Sequence, residues 1–291
     1  MSLLQDAHSL PRELQQKCEQ VTALLAGFRR VIVAYSGGVD STLLAKLARD
    51  VLGKAAVLAV TADSPSLARE DLAEAIRLAQ ELDLQHLVIR TSEVQDLAYQ
   101  ANTPGRCYVC KRTLFVELEA LARARGADMV LYGAIGDDIV SERPGERAAS
   151  ERGVRAPLQE VGLSKFEIRL LAQALGVPNW NRPQNACLSS RIPHGTTVTE
   201  DKLRQVEEAE AFLHAQGFHQ VRVRHLGAHA RIEVDVEAVG RFQDSQLRRA
   251  VTDRFAQLGF VTVSLDRAGY RAGGAQQSAV DEVLLSAIDK C

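Results

Sequence analysis

Val31-Ile-Val-Ala-Tyr-Ser-Gly-Gly-Val-Asp-Ser41 is the stretch whose reading decides the fold of this 291-residue chain. Its first five residues are apolar and largely β-branched, as in a strand buried on both faces of a parallel sheet. Gly37 and Gly38 remove side chains where the backbone must turn and where a ligand could approach closely. From Thr42 onward, Leu43, Leu44, Leu47 and Val51 recur at helical spacing, which puts residues 36–41 at a helix N-terminus. Free amides and the positive end of the helix dipole suit that position to a phosphate.

The loop lacks the lysine of the common G-x-x-x-x-G-K-[ST] phosphate loop. Ser36, Gly37, Gly38, Asp40 and Ser41 instead resemble the PP-loop of the ATP pyrophosphatases, which hold the leaving pyrophosphate while a substrate group attacks the α-phosphate. A strand-turn-helix junction with small residues kept for packing is the plainer reading.

Hydrophobic residues at 46% and charged residues at 25% are ordinary globular values, and the length predicts one large domain with a smaller one. A formal net charge of −2 gives no global attraction to nucleic acid, and no apolar run approaches membrane-spanning length. Polar residues interrupt the N-terminus where a signal peptide would be apolar, so a cytoplasmic location is expected. Five cysteines are too few for a secreted disulfide framework. Cys18 falls on an amphipathic helix and Cys291 ends the chain, which leaves Cys107, Cys110 and Cys187 for chemistry.

Outward from the loop, spacing predicts helices over 10–28, 66–82, 114–125 and 164–175, with strands over 57–61, 86–90 and 129–133. That alternation implies an α/β, doubly wound, mostly parallel sheet. Asp63, beyond the second strand, is placed beside the loop because ligands of such sheets bind at the carboxyl ends of strands. Asp137 and Asp138 follow another strand end, where they could bind Mg²⁺ or cap a turn. Residues 142–155 read as a mobile charged segment, and 179–195 as a binding loop in which Trp180 packs. Beyond a boundary near 197, the predicted order is helix 200–216, strands 220–225 and 230–236, helix 244–258 and strand 261–265. This suits a small C-terminal α+β domain, with a short helix after residue 272.

Cys107-Tyr-Val-Cys110 puts two thiols three residues apart at a helix start, where both could share a face and have lowered pKa values. Two thiols do not complete a metal site; Cys187 could add a third. A zinc site would ordinarily want a fourth protein ligand, whereas three cysteines around a four-iron cluster leave one iron open.

These residues together with Asn102-Thr-Pro-Gly-Arg-Cys-Tyr-Val-Cys-Lys111, Ala186-Cys-Leu-Ser-Ser-Arg-Ile-Pro-His-Gly195, Val221-Arg-Val-Arg224 and Ala230-Arg-Ile-Glu233 resemble the LarE family over nearly the whole chain. That family comprises ATP-dependent sulfur transferases of nickel-pincer nucleotide synthesis, which serves lactate racemase. In one form a single cysteine gives up its sulfur and becomes dehydroalanine. In the other, three cysteines hold a [4Fe-4S] cluster that carries the transferred sulfur, and Cys107, Cys110 and Cys187 look like this second form. Zinc, no metal and a sacrificial Cys187 stay open as alternatives.

The resemblance implies a pyridinium dicarboxylate mononucleotide as substrate, ATP and Mg²⁺ as cofactors, sulfide or another sulfur donor, and a homo-oligomer built from trimers. ATP would meet Ala34, Ser36, Gly37, Gly38, Val39, Asp40, Ser41, Thr61 and Asp63, with Asp40 and Asp63 near the metal. Lys111 and Arg191 would steady the transferring phosphate, and Ser189 and Ser190 would contact substrate. Arg222 and Arg224, two apart on a strand, would clamp a phosphate from one face, or form a solvated basic face. Glu233 would orient them or be their cross-strand ion pair. The rivals are a tRNA thiolase, for which no basic RNA-binding extension is evident, an amidating synthetase, which needs no cysteine triad, and a non-catalytic adenine-nucleotide sensor.

Overall fold

The computed structural model describes residues 10–136, 144–183, 185–271 and 281–287. Packing divides the chain into two units, Met1–Glu93 with Gly105–Asn185, and Val94–Pro104 with Ala186–Cys291. Residues 186–197, which the sequence reading placed before the boundary, go with the second unit.

The first unit opens with α1 (Arg12–Ala26), which buries Leu14, Cys18, Val21 and Leu25 along one stripe. Cys18 is therefore a core residue, its thiol pKa raised by burial. There follow β1 (Val31–Ala34), α2 (Val39–Leu52), β2 (Val57–Asp63), α3 (Arg69–Glu81) and β3 (Gln85–Arg90). After α4 (Leu97–Gln100), which belongs to the second unit, come α5 (Arg106–Arg125), β4 (Met129–Tyr132), α6 (Pro144–Ser150), α7 (Pro157–Glu160) and α8 (Lys165–Ala174). Gly126 ends α5 in the left-handed conformation that glycine adopts without a Cβ penalty.

All four strands are parallel in the order β3-β2-β1-β4, with Val31 facing Val57 on one side and Met129 on the other. Val31 and Val33 belong to a core shared with α1, α2 and α8, while Ile32 packs with Phe115, Leu118 and Val130 on the opposite face. Full burial of each large side chain there contributes about 1.5–3 kcal/mol. Because β2 and β4 flank β1 on opposite sides, the strand order reverses at β1. The loop leaving β1 thus starts at the switch point where open parallel sheets bind ligands.

The second unit carries α9 (Glu200–Ala215), β5 (Val221–Leu226), β6 (His229–Val234), α10 (Ser245–Gln257), β7 (Thr262–Asp266) and β8 (Glu282–Ala287). Its sheet runs β5-β6-β7-β8 with antiparallel, parallel and antiparallel pairings. Val221, Val223, Ala230, Ile232 and Val263 form its core with Val251 and Phe255 of α10.

Two expectations are corrected. Within the segment read as mobile, residues 144–150 are helical and bury Ala148 and Ala149 to 1% exposure, and the Arg155 backbone bonds with Val130 and Tyr132 of β4. Small residues make a packing face that counting charges overlooks. The expected C-terminal helix is the strand β8, in which Val283 and Leu285 turn to the core and Leu284 is 63% exposed, a period of two. Asp137, Asp138 and Cys291 lie outside the described residues.

Candidate active site

The loop after β1 is closed by its own hydroxyls. Ser41 Oγ donates to Gly38 O at 3.1 Å and accepts from Ser36 N at 3.2 Å, so its 3.1 Å contact with Ser36 Oγ has Ser36 as donor. Ser36 Oγ in turn accepts from Gly38 N at 3.3 Å. The Ser36 and Gly38 amides are thereby used within the loop, and the amides of Val39, Asp40 and Ser41, which begin α2, are the ones helix geometry leaves for an anion.

Gly37 has φ +69°, and a Cβ there would lie 2.8 Å from Ala75 Cα of α3. Asn179 holds Gly37 O with its side-chain amide at 2.8 Å. A Cβ on Gly133, just after β4, would meet Ser41 N at 2.8 Å, so two strand ends close on the loop.

A cavity of about 260 Å³ opens at these strand ends, lined among others by Ala34, Ser36, Asp40, Ser41, Thr61 and Lys111. Thr61 Oγ1 donates to Tyr35 O, so the 2.8 Å contact with His86 is donated by His86 Nε2. Burial lowers the His86 pKa and pushes the Tyr35 phenol up to about 12, so both stay neutral beside the cavity. Lys111 Nζ sits 5.0 Å from the centroid of the Tyr132 ring, its stem against Gly145. Asp40 is gripped by Lys165 Nζ through both carboxylate oxygens, at 2.6 and 2.8 Å. Asp63 is paired with Arg69 at 2.5 Å.

Cys107 and Cys110 are the second and fifth residues of α5, the former exposed and the latter half-buried, and neither is in a disulfide. In the second unit Cys187 is also exposed and precedes the short 3-10 helix Leu188–Arg191. Among the described residues, no three His, Cys, Asp or Glu side chains are gathered to hold a metal ion.

The loop after Cys187 is firmly held. Arg191 is 1% exposed, makes two 2.9 Å bonds to Glu210, and donates to the carbonyls of Ala186 and Cys187. Ser189 is fully buried with its hydroxyl 2.6 Å from Tyr99 Oη. Ser190 O accepts from Arg224, which also grips Glu233 at 2.9 and 2.7 Å.

Arg222 and Arg224 do share one face of β5, but that face is 7% and 4% exposed, which overturns the solvated basic alternative. Glu233 is the ion-pair partner of Arg224, and Arg231 reaches it at 3.4 Å. Arg222 differs from its neighbour. Its guanidinium donates to Val221 O at 2.6 Å and lies 5.1 Å from the Tyr270 ring, and burial first and then the charge of Arg191 lower its pKa. In this linked set four buried arginines face Glu210 and Glu233, an excess of positive charge suited to an anion.

The NAD synthase family profile matches residues 13–140, the part of the chain that contains the loop. An uncharacterized protein of Synechocystis sp. is 45% identical over 261 residues, 89% of this chain and 97% of its own. The pyridinium-3,5-bisthiocarboxylic acid mononucleotide synthase of Lactiplantibacillus plantarum is 40% identical over 260 residues, 89% of this chain and 94% of the synthase. This chain belongs to the LarE family. A tRNA-specific 2-thiouridylase of Parvibaculum lavamentivorans, 32% identical over 240 residues, is covered over 58% of its length, as suits a more distant branch of the same superfamily.

Several residues that hold the candidate groups within each unit of this LarE-family chain were not singled out from sequence. Lys165, Tyr99, Glu210 and Tyr270 each act through a partner distant in the chain, Lys165 lying 125 residues from Asp40 and Tyr99 lying 90 from Ser189. A lone lysine, tyrosine or glutamate carries no spacing signal; its role is set by what the fold brings to it.

Proposed function

We propose that the chain is an ATP-dependent sulfur transferase that adenylates a carboxylate of pyridinium-3,5-biscarboxylic acid mononucleotide and replaces its oxygen by sulfur, in synthesis of the nickel-pincer cofactor. The observation that carries this is the 40% identity spanning 94% of the synthase. The PP-loop at the sheet's switch point is the local feature that fits it.

A carboxylate is a poor electrophile because oxide is a poor leaving group. Attack of the carboxylate on the α-phosphorus of ATP forms a C–O–P link and expels pyrophosphate. Sulfur attack at the carbonyl carbon then expels AMP and leaves a thiocarboxylate. In this reading the Val39, Asp40 and Ser41 amides hold the phosphates, Ala34, Ser36, Gly37, Gly38 and Thr61 shape the nucleotide site, and Lys111 neutralises charge at the transferring phosphate. The Lys165 ammonium against Asp40 marks a place that accepts a cation, which fits Asp40 as the holder of Mg²⁺; Asp63, tied to Arg69, is the secondary candidate. Mg²⁺ would supply charge neutralisation for the leaving pyrophosphate.

In the second unit, Arg222 binds the substrate phosphate, with Arg224 oriented by Glu233. Ser190 contacts substrate, while Ser189 and Arg191 brace the Cys187 loop. Cys107, Cys110 and Cys187 fit three-thiolate ligation of a [4Fe-4S] cluster by donor chemistry, since all three are outside disulfides and the first two share a helix turn. The cluster would supply the transferred sulfur, replenished by sulfide or another donor. The reading includes a cytoplasmic homo-oligomer acting on a small molecule.

The test is incubation of the anaerobically purified protein with ATP, Mg²⁺, sulfide and the biscarboxylate mononucleotide, followed by mass analysis. Thiocarboxylate, AMP and pyrophosphate in matching amounts are expected. AMP without sulfur incorporation, or turnover of tRNA in its place, refutes it.

A further inference from the structure

Among its described residues the second unit buries four arginines, Arg191, Arg222, Arg224 and Arg231. Three of them stand against a carboxylate: Arg191 is bonded to Glu210, while Arg224 and Arg231 share Glu233. Arg222 lies opposite Glu233 in the pairing of β5 with β6 and feels the charge of Glu210, yet both carboxylates are committed elsewhere, Glu210 also to the Val223 amide at 2.9 Å. Arg222 instead donates to Val221 O at 2.6 Å and lies against the Tyr270 ring, 5.1 Å from its centroid. We propose that Tyr270 is a positioning residue of the substrate-phosphate subsite: its ring holds Arg222 in the place of a carboxylate and so leaves the guanidinium's charge to the phosphate. The proposal rests on the reading of Arg222 as a phosphate ligand and adds the residue that keeps it one.

The turn that presents Tyr270 is tightly built. β7 ends at Asp266, which is 2% exposed; its carboxylate accepts from Ala268 N at 2.9 Å and its carbonyl from Gly269 N at 3.2 Å. Gly269 has φ +71°, and a Cβ there would lie 2.9 Å from Val234 O, the atom to which Tyr270 N donates at 2.8 Å. Val234 pairs with Val221 across the strands, so this bond roots Tyr270 beside the residue that precedes Arg222. The following Arg271 reaches back to Asp266 at 3.4 Å, which closes the turn on both sides of the tyrosine.

Charge decides why a ring serves here. A carboxylate beside Arg222 would compensate the buried cation more fully, and the pair would then have little attraction left for an anion. An aromatic face attracts a guanidinium through its quadrupole and carries no net charge, so the cation is steadied without being neutralised. Of the five N–H donors in the guanidinium's rigid fork, the Val221 carbonyl takes one. The donors that remain can meet two oxygens of a phosphomonoester, whose charge of about −1.5 to −2 at neutral pH suits a set of four arginines against two glutamates.

The test is calorimetric titration of the full chain with the biscarboxylate mononucleotide and with its nucleoside, which lacks the phosphate, beside thermal melting. Tyr270→Phe, the conservative variant, keeps the ring face and should stay within about twofold of native for the mononucleotide. Tyr270→Leu should bind the mononucleotide about tenfold more weakly with the nucleoside unchanged, and combining it with Arg222→Ala should weaken binding no further than Arg222→Ala alone. Tyr270→Glu separates positioning from packing: it gives Arg222 a carboxylate, so melting should hold or rise while mononucleotide affinity falls at least as far as in Tyr270→Leu. Native mononucleotide affinity in Tyr270→Leu, a parallel loss of mononucleotide and nucleoside, native affinity in Tyr270→Glu, additive losses in the double variant, or no mononucleotide binding by native protein each overturns the proposal. If the titrations behave as expected but no thiocarboxylate forms, the sulfur-transfer reading fails and the Tyr270 assignment stands. If thiocarboxylate forms and Tyr270→Leu binds as native does, the assignment fails and the reading stands.

Discussion

Replacing Arg224 by alanine strands a carboxylate, because Glu233 is 1% exposed and keeps Arg231 at 3.4 Å as its nearest cation. Breaking a buried pair from one side costs about 3–5 kcal/mol, so Arg224→Ala should unfold at clearly lower urea whatever it does to substrate. Arg222→Ala removes a guanidinium that bonds a carbonyl and an aromatic face, with no carboxylate left behind. It should melt near native while binding the substrate mononucleotide about 1.5–3 kcal/mol more weakly, measured by titration beside a urea melt. Equal destabilisation by the two would show that both arginines are structural. Sequence spacing placed the two side by side but made them equivalent, since the pairings that separate them are cross-strand and tertiary. The same limit explains Arg191: the family resemblance implied a phosphate contact, whereas two bonds to Glu210 make it a brace.

The strand-loop-helix element was legible to within three residues at each boundary, because its signal is local: β-branched residues, two glycines and a helical leucine stripe. Its glycines have different jobs. Gly37→Ala places a methyl 2.8 Å from Ala75 Cα at φ +69°, where the left-handed conformation alone costs about 1–2 kcal/mol, so α3 must shift and the melting midpoint should fall. Gly38 has an ordinary extended backbone, and an added Cβ would lie 3.3 Å from Ser36 Oγ. Gly38→Ala should melt within a few degrees of native, in keeping with a change well below ~1 kcal/mol, and lose nucleotide affinity. Calorimetric melting with and without ATP separates the two. Elements whose signal depends on packing were harder to read. Residues 144–150 carry too few apolar side chains to announce a helix, and β8 is a short alternating run whose pairing partner, β7, lies beyond residues 272–280.

Across the whole molecule, stability should follow pH through buried histidine. His225 Nε2 donates to Gln205, whose amide nitrogen is committed to Leu258 O, while His225 Nδ1 is buried with no hydrogen-bond partner. Burial, then Lys202, lowers its pKa, so the unfolded chain binds the extra proton first. That contribution is complete above roughly pH 6.5 and is lost as pH falls below it toward the folded value. His225→Gln should flatten the fall in melting midpoint between neutral and mildly acidic pH, and an unchanged slope would assign the dependence to other groups. The cysteines give a second global test. Cys107→Ala, Cys110→Ala and Cys187→Ala should each lower bound iron and repeated turnover, whereas a protein lighter by one hydrogen sulfide per product, without iron, would establish a sacrificial Cys187.

The second unit is threaded from two separate lengths of chain, and this bears on how the protein can be cut or made. Tyr99 and Asn102 are 1% and 0% exposed, and Asn102 Nδ2 is shared among the carbonyls of Ile192, Pro193 and Thr196. During synthesis these two residues emerge long before the segment that receives them, so they wait without partners until residue 196 has left the ribosome. A polypeptide terminated at Asn185 would carry the orphaned insert permanently, and a protease nick near that point would leave the halves clasped through residues 94–104. Excision of the nucleotide-binding half as a free-standing reagent therefore requires replacing residues 94–104 by a short polar bridge as well as stopping the chain.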